Sequence, residues 1–289
     1  MIARAHQKRS LSPAVETDLV KRPSILVFDS GLGGLTVFRA TAALRPEADY
    51  VYFADDAGFP YGPMAPDVLI ERVMGVIGKF IRTARPDLVV IACNTASTLV
   101  LPPLRAAFPD LPFVGTVPAI KPAAASSRSK MVSVLATPGT VVRDYTRDLI
   151  AAHASDCQVT LVGAPRLAPL AEDFLRGIAV EEREIAAEIA PCFVEAGGQR
   201  TDTVVLACTH YPLLREMFER NAPWPVDWVD PAPAIARRVA SLLGEPSHTT
   251  AGTRHVFFSS GLRPDATLER ALLAFGLVSA EPGHVALCA

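Results

Sequence analysis

Six short runs of apolar residues set the class of fold open to this chain. ILVF (25–28), YVYFA (50–54), LVVIA (88–92), VSVLA (132–136), VTLV (159–162) and VVLA (204–207) are continuous rather than alternating. Strands read this way when both faces of a parallel sheet are covered. Between them, stretches 35–45, 66–84, 94–107, 140–152 and 180–196 carry apolar residues at helical spacing. Such β-α alternation builds open α/β sheets rather than a sandwich or a bundle. Ligands then bind beyond the carboxyl ends of the strands, so the polar residues after each run are the place to look for function.

Two of these places match. LVVIACNTAS (88–97) and TVVLACTHYP (203–212) share an apolar strand, Ala-Cys, and small polar residues opening a helix. Cys93 and Cys208 lie 208 − 93 = 115 residues apart, close to one domain's length in a chain of 289 residues, which suits about two domains at roughly 150 residues each. The expectation is an α/β protein of two similar open lobes with mainly parallel sheets. Each lobe presents one strand-end thiol, and the active site is the cleft between them.

Composition narrows the classes of function. With 28 basic against 30 acidic residues the net charge is 28 − 30 = −2, which gives no electrostatic reason to expect nucleic acid. No apolar run reaches the roughly 18 residues of a membrane span. Five cysteines, Cys93, Cys157, Cys192, Cys208 and Cys288, are odd and sparse, unlike a disulfide framework. Free thiols in a reducing, cytoplasmic compartment are expected. Residues 1–23 are basic without the apolar core of a secretory signal. They read as a flexible arm before a fold that begins at Ser24, with Arg4, Lys8, Arg9, Lys21 and Arg22 as a solvated tail.

Cysteine commonly packs as a small hydrophobe, the reading given to Cys157 and Cys192. Cys93 and Cys208 differ because Asn94-Thr95 and Thr209-His210 follow them. Free N–H groups of a helix start favour both a thiolate and a bound carboxylate. Zinc is poorly served, since there is no CxxC pair or HExxH, and Cys208-Thr-His210 supplies at most two ligands. A Cys-His hydrolase has no use for a second matching thiol, and none of the five lysines sits in a strand-end motif where pyridoxal phosphate would need it. What remains is acid–base work on opposite faces of one carbon: one thiolate removes a Cα proton and the other thiol returns one, without metal or cofactor. Asp29-Ser30-Gly31-Leu32-Gly33-Gly34 forms a glycine turn after the first strand. It fails as a dinucleotide fingerprint, with Thr36 at the third glycine position. Asp29 there either caps a helix or tunes a catalytic partner, and Ser30 is placed to bind a polar group. Asp55-Asp56-Ala57-Gly58-Phe59-Pro60-Tyr61-Gly62 is a surface loop by composition. It also follows a strand, where the Tyr61 hydroxyl and Gly62 backbone could meet a ligand. His210 is either a structural histidine or the partner of the thiol two residues before it.

Together FDSGLGGLTV (28–37), ADDAGFPYG (54–62), VVIACNTAS (89–97), VLATPGTV (134–141) and LACTHYPLL (206–214), extended by VDPA (229–232), resemble the glutamate racemase family within the aspartate/glutamate racemase superfamily. The resemblance implies a cofactor-independent racemase that interconverts L- and D-glutamate and supplies D-glutamate for peptidoglycan. It implies that Cys93 deprotonates D-glutamate and Cys208 L-glutamate, with Asp29 assisting Cys93 and His210 assisting Cys208. Asp29, Ser30, Tyr61, Gly62, Asn94, Thr95, Thr209 and His210 would line the substrate site. The stretch APRLAPLAE (164–172) matches a family segment ending in a catalytic glutamate, here Glu172, with Ala164 where the family has cysteine. The family fold further implies that the second lobe, 117–228, is inserted into a first lobe made of 24–116 and 229–289, and that the protein is a homodimer. The arm, the Asp-Asp-Ala-Gly loop and the tail from about 245 match no family motif. The rivals are a racemase of aspartate or another small amino acid, and a non-catalytic protein that binds an acidic ligand.

Overall fold

The computed structural model describes residues 21–246 and 248–280. Most of the N-terminal arm, with Arg4, Lys8 and Arg9, and Cys288 lie outside the described residues. In chain order the elements are β1 (Ser24–Asp29), α1 (Leu35–Leu44), β2 (Asp49–Ala54), α2 (Pro66–Ala84), β3 (Leu88–Ile91), α3 (Asn94–Ala107) and β4 (Phe113–Gly115). Then come α4 (Ile120–Ser126), β5 (Met131–Ala136), α5 (Pro138–Val141), α6 (Asp144–His153), β6 (Gln158–Gly163), α7 (Leu167–Leu175) and α8 (Glu182–Ile189). The chain ends with β7 (Glu195–Ala196), β8 (Gln199–Arg200), β9 (Thr203–Ala207), α9 (Arg215–Asn221), β10 (Asp227–Val229), α10 (Ala232–Leu243), β11 (Arg254–Phe258), α11 (Ala266–Ala274) and β12 (Val278–Ser279).

Two parallel sheets result. The first runs β12-β11-β2-β1-β3-β4, the second β10-β9-β5-β6. The first therefore takes strands from both ends of the chain, and the second only from its middle. The continuous apolar runs follow from this layering. Ile25 and Val27 of β1 point into one core, and Leu26 and Phe28 into the core on the opposite face. In β9, Val204 and Leu206 divide from Val205 and Ala207 in the same way. Each such side chain taken wholly out of water contributes about 1.5–3 kcal/mol, so a strand apolar on both faces is strongly committed to the middle of a sheet. α10 returns to pack on α1, and its Ile235 and Val239 join the core of the first lobe.

All six expected strands form, but β6 departs from the expected burial. It is the outer strand of its sheet, only Val162 of it is buried, and Leu161 is exposed. Cys157, which precedes it, is half-buried rather than a core residue, whereas Cys192 is wholly buried. The expected helix 180–196 ends at Ile189, because Pro191 cannot continue the ladder and a turn then leads into the β7–β8 hairpin. The stretch 140–152 divides into α5 and α6 at Val142–Arg143. The last described residues of the arm are tied down: the Lys21 ammonium meets Asp87 at 3.1 Å and Arg22 donates to the Glu47 carbonyl at 3.0 Å. Among the described residues no helix is long and apolar enough to cross a membrane.

Candidate active site

Parallel strands point their carboxyl ends the same way, and here β1, β2, β3, β5 and β9 bring their tips to one narrow cavity between the lobes. Ser30, Tyr61, Gly62, Cys93, Asn94 and Thr95 line it from one side, and Thr137, Ala168, Cys208, Thr209 and His210 from the other, with Phe59 and Pro60 at the loop. Both strand-end thiols thus reach the same space. Its volume is about 20 Å³, no more than one water molecule's share of the liquid. Asn94 is buried and neither its oxygen nor its nitrogen has a partner in the protein.

On the first lobe, Cys93 is the N-cap of α3. The Ser30 hydroxyl lies 3.8 Å from its sulfur, and the Ala96 N–H points at it. The helix start therefore does reach the thiol, yet it does not leave it a thiolate. Burial, then the charge of Asp29, push the Cys93 pKa well above the ordinary thiol range. Asp29 is itself wholly buried behind the cavity rather than in its lining. Its Oδ2 accepts from Gly34 N–H at 2.9 Å, and Oδ1 has no partner. Burial raises its pKa, against the charge of His210 and the Gly34 and Ser30 amides.

The second lobe differs. The helix start expected after Cys208 is a 3-10 turn rather than an α-helix. Thr209 and His210 lead into a single tight turn, Tyr211–Leu214, before the seven-residue α9. What stands beside this thiol is a side chain: His210 Nδ1 lies 3.8 Å from the Cys208 sulfur. His210 Nε2 is 2.9 Å from Glu172 Oε1. Burial works against a charged imidazole, but Cys208 and Glu172 outweigh it and hold the His210 pKa well above its ordinary value. That shift favours an imidazolium that donates to Glu172 and faces Cys208. Gly33 N–H also approaches Nε2, at 3.2 Å, a contact the doubly protonated ring does not accept. Glu172 is buried, which works against its charge, yet His210 and the Leu32 N–H keep its pKa below the usual range. It lies behind His210, outside the cavity lining.

The glycine turn after β1 has a role the sequence alone did not reveal. Its Leu32 N–H donates across the cleft to Glu172 at 2.5 Å, and the Thr36 hydroxyl donates to the Thr209 carbonyl at 3.2 Å. A Cβ at Gly31 would lie 2.3 Å from Glu172 Oε1, and one at Gly33 would lie 2.2 Å from His210 Nδ1. The glycines make room for the second lobe's histidine and glutamate. Sequence reasoning also missed Thr137, although ATPGT stands at the tip of β5, the kind of place searched elsewhere. Its hydroxyl is 3.1 Å from that of Thr95 and 3.0 Å from that of Thr140, bridging the lobes. Tyr61 lines the cavity, and its hydroxyl is engaged by Asp55. Among the described residues no cluster of three His, Cys, Asp or Glu side chains could hold a metal ion.

Two thiols thus face one cavity, one beside a buried carboxyl and one beside an imidazole. The Asp/Glu/Hydantoin racemase family model matches residues 36–239, and the chain belongs to that family of isomerases. Within it, the glutamate racemase of Brucella ovis is 55% identical over 270 residues, covering 92% of this chain and 96% of its own. The glutamate racemase of Rhizobium meliloti is 56% identical over 255 residues, covering 88% and 92%. Among solved structures, Escherichia coli glutamate racemase in complex with L-glutamate and the activator UDP-MurNAc-ala is 40% identical and superimposes with a TM-score of 0.81, covering 90% of this chain and 97% of its own.

Proposed function

We propose that this protein interconverts L- and D-glutamate without a cofactor, by proton transfer between Cα and the two thiols of Cys93 and Cys208. The observation that carries the reading is the convergence of both strand-end cysteines on one cavity from opposite lobes. The relatives' names supply the substrate. In the direction from L to D, Cys208 as thiolate takes the Cα proton, with the His210 charge beside it. Cys93, held as a thiol, gives its proton to the opposite face of the carbanion. The enzyme then carries a thiol at Cys208 and a thiolate at Cys93, and proton exchange with solvent resets it. The reverse direction starts from a Cys93 thiolate, where the free Oδ1 of Asp29 can accept a proton or bind the substrate ammonium. The unpartnered Asn94 side chain and the amides at the start of α3 suit the substrate carboxylate as negative charge develops on it.

A cavity of about 20 Å³ is too small for an amino acid, so the lobes part to admit glutamate and close to exclude water. The role we assign is supply of D-glutamate for peptidoglycan, in the cytoplasm, by a homodimer. Proton NMR of L-glutamate in D2O with purified enzyme and no added cofactor tests the chemistry. Loss of the α-proton signal together with D-glutamate formation is expected. Exchange without inversion would remove the two-base mechanism, and exchange of aspartate but not glutamate would change the substrate.

A further inference from the structure

The loop between β2 and α2 holds a buried carboxylate, paired with a half-buried arginine of α2, that the reaction scheme leaves unused. Asp55 stands just beyond the tip of β2 and is fully buried. Arg72 of α2 grips it with two bonds: Nε donates to Oδ2 and Nη2 to Oδ1, both at 2.6 Å. The Tyr61 phenol donates to the same carboxylate. Burial works against the Asp55 charge, but Arg72, Ser259 and Tyr61 together hold its pKa below the usual carboxylate range. An exposed ion pair contributes little, whereas a buried carboxylate that loses its partner is costly. The loop is shaped for this guanidinium: a Cβ at Gly58 would lie 2.2 Å from Arg72 Nε.

The clamped loop is one of the parts of the first lobe that reach the second. The Phe59 ring lies 5.5 Å from the His210 ring. A Cβ at Gly139 of α5 would meet the Gly62 carbonyl at 2.6 Å. Tyr61 and Gly62 both line the cavity. The chain of contacts therefore runs from α2 through Asp55 to the phenol, and from the loop to the lining of the cavity. Arg72 touches neither thiol and belongs to no proton-transfer step.

We infer that Arg72 is a positioning residue for substrate binding: by clamping Asp55 it fixes the Tyr61 ring and the Gly62 backbone against glutamate as the lobes close. The inference rests on the racemase reading above. Arginine is required because its planar fork meets both carboxylate oxygens at once, which a lysine ammonium cannot do. Without it, the buried carboxylate takes up a proton or turns toward water, and the phenol loses its anchor.

The experiment is steady-state kinetics in both directions on wild type, Arg72→Met, Arg72→Lys and Tyr61→Phe, alongside melting temperatures with and without D-glutamate. For Arg72→Met a rise of about tenfold in KM in both directions is expected, with kcat changed by less than about threefold, the pattern of lost binding rather than lost transition-state contact. The melting shift given by D-glutamate should shrink in parallel. Arg72→Lys should recover part of the KM, and Tyr61→Phe should raise it by less than Arg72→Met does. If Arg72→Met does not fold, the lysine and phenylalanine variants carry the same test through their KM values. A lowered melting temperature with KM unchanged would make the pair merely structural and overturn the inference. A wild type that racemises no glutamate would instead overturn the proposed function.

Discussion

Cys93 and Cys208 each follow an alanine at the tip of an inner strand, and each enters the same cavity, yet their surroundings are opposite in charge. Beside Cys93 are a buried carboxyl, a serine hydroxyl and the first turn of the fourteen-residue α3. Beside Cys208 are an imidazolium and, behind it, a carboxylate. The internal repeat thus conserves the position of the sulfur and not its electrostatics. A reaction that runs both ways needs each thiol in both protonation states. In the proposed scheme the raised pKa of Cys93 favours its thiol and the raised pKa of His210 favours a positive charge beside Cys208, so the two directions would draw on different residues.

The harshest way to break this comparison is to remove one sulfur. Cys93→Ala and Cys208→Ala should each lower racemisation by about 10³-fold or more, the upper range for a positioned acid or base. Cys→Ser should be nearly as severe, since an alkoxide is far harder to form than a thiolate. A chiral assay of either single variant that retains most activity would end the two-base scheme. Smaller and more telling are Asp29→Asn and His210→Asn, each expected to cost about 10–100-fold. Their losses should fall unequally on the two directions: Asp29→Asn should weigh more on turnover of D-glutamate and His210→Asn on that of L-glutamate. Equal losses in kcat for both directions would erase the asymmetry.

Glu172 sharpens the comparison further because its direct contact is with His210, while Asp29 feels it only through its charge. Cys208 and Glu172 together hold the His210 pKa well above its ordinary value. Glu172→Gln removes the counter-charge, so the imidazole should deprotonate within the accessible range as pH rises. Turnover of L-glutamate should then fall on the alkaline side, by about tenfold, while that of D-glutamate changes less. The measurement is the pH profile of kcat in both directions, and kcat profiles that move together would place Glu172 outside the His210 pair.

The sequence made the strands and both thiols legible for a definite physical reason. Continuous apolar runs are unambiguous when both strand faces are buried, as in β1 and β9, and the Ala-Cys motif lies at the strand tip where the topology concentrates function. β6 misled because four to six apolar residues look alike on an outer strand and an inner one. Arg72 and the reason for Gly31 and Gly33 were illegible because each depends on a contact made across many residues of chain or across the cleft, whereas Thr137 at the tip of β5 was legible by position. Gly33 opposes His210, 177 residues away, and nothing local to a glycine says what will occupy its missing side chain. Glu172 came only through family resemblance, since a lone glutamate in an apolar helix carries no mark of its partner.

The smallest expected effect concerns the far end of the second lobe and serves as the control on the rest. Asp202 precedes β9 at the end opposite Cys208, and its carboxylate accepts from Ser127 Oγ at 2.7 Å, Thr203 Oγ1 at 2.9 Å, and the Arg128 and Ser129 N–H groups, both at 2.8 Å. Against its own partial burial, these donors pull its pKa from 3.8 down to about 2. A carboxyl whose folded value is depressed contributes fully above its unfolded value, and that contribution is lost as pH falls through the folded one. Because the group is partly exposed, its share is about 1 kcal/mol after solvent screening. Asp202→Asn should therefore lower the melting temperature at pH 7 by a few degrees, and the gap to wild type should close as pH falls from about 4 to about 2. The ratio of the two directional kcat values should not change, because Asp202 is held by Ser127, Thr203, Arg128 and Ser129 and touches neither sulfur. A shift in that ratio would mean that the asymmetry between the thiols is set by the second lobe as a whole rather than by His210 and Asp29.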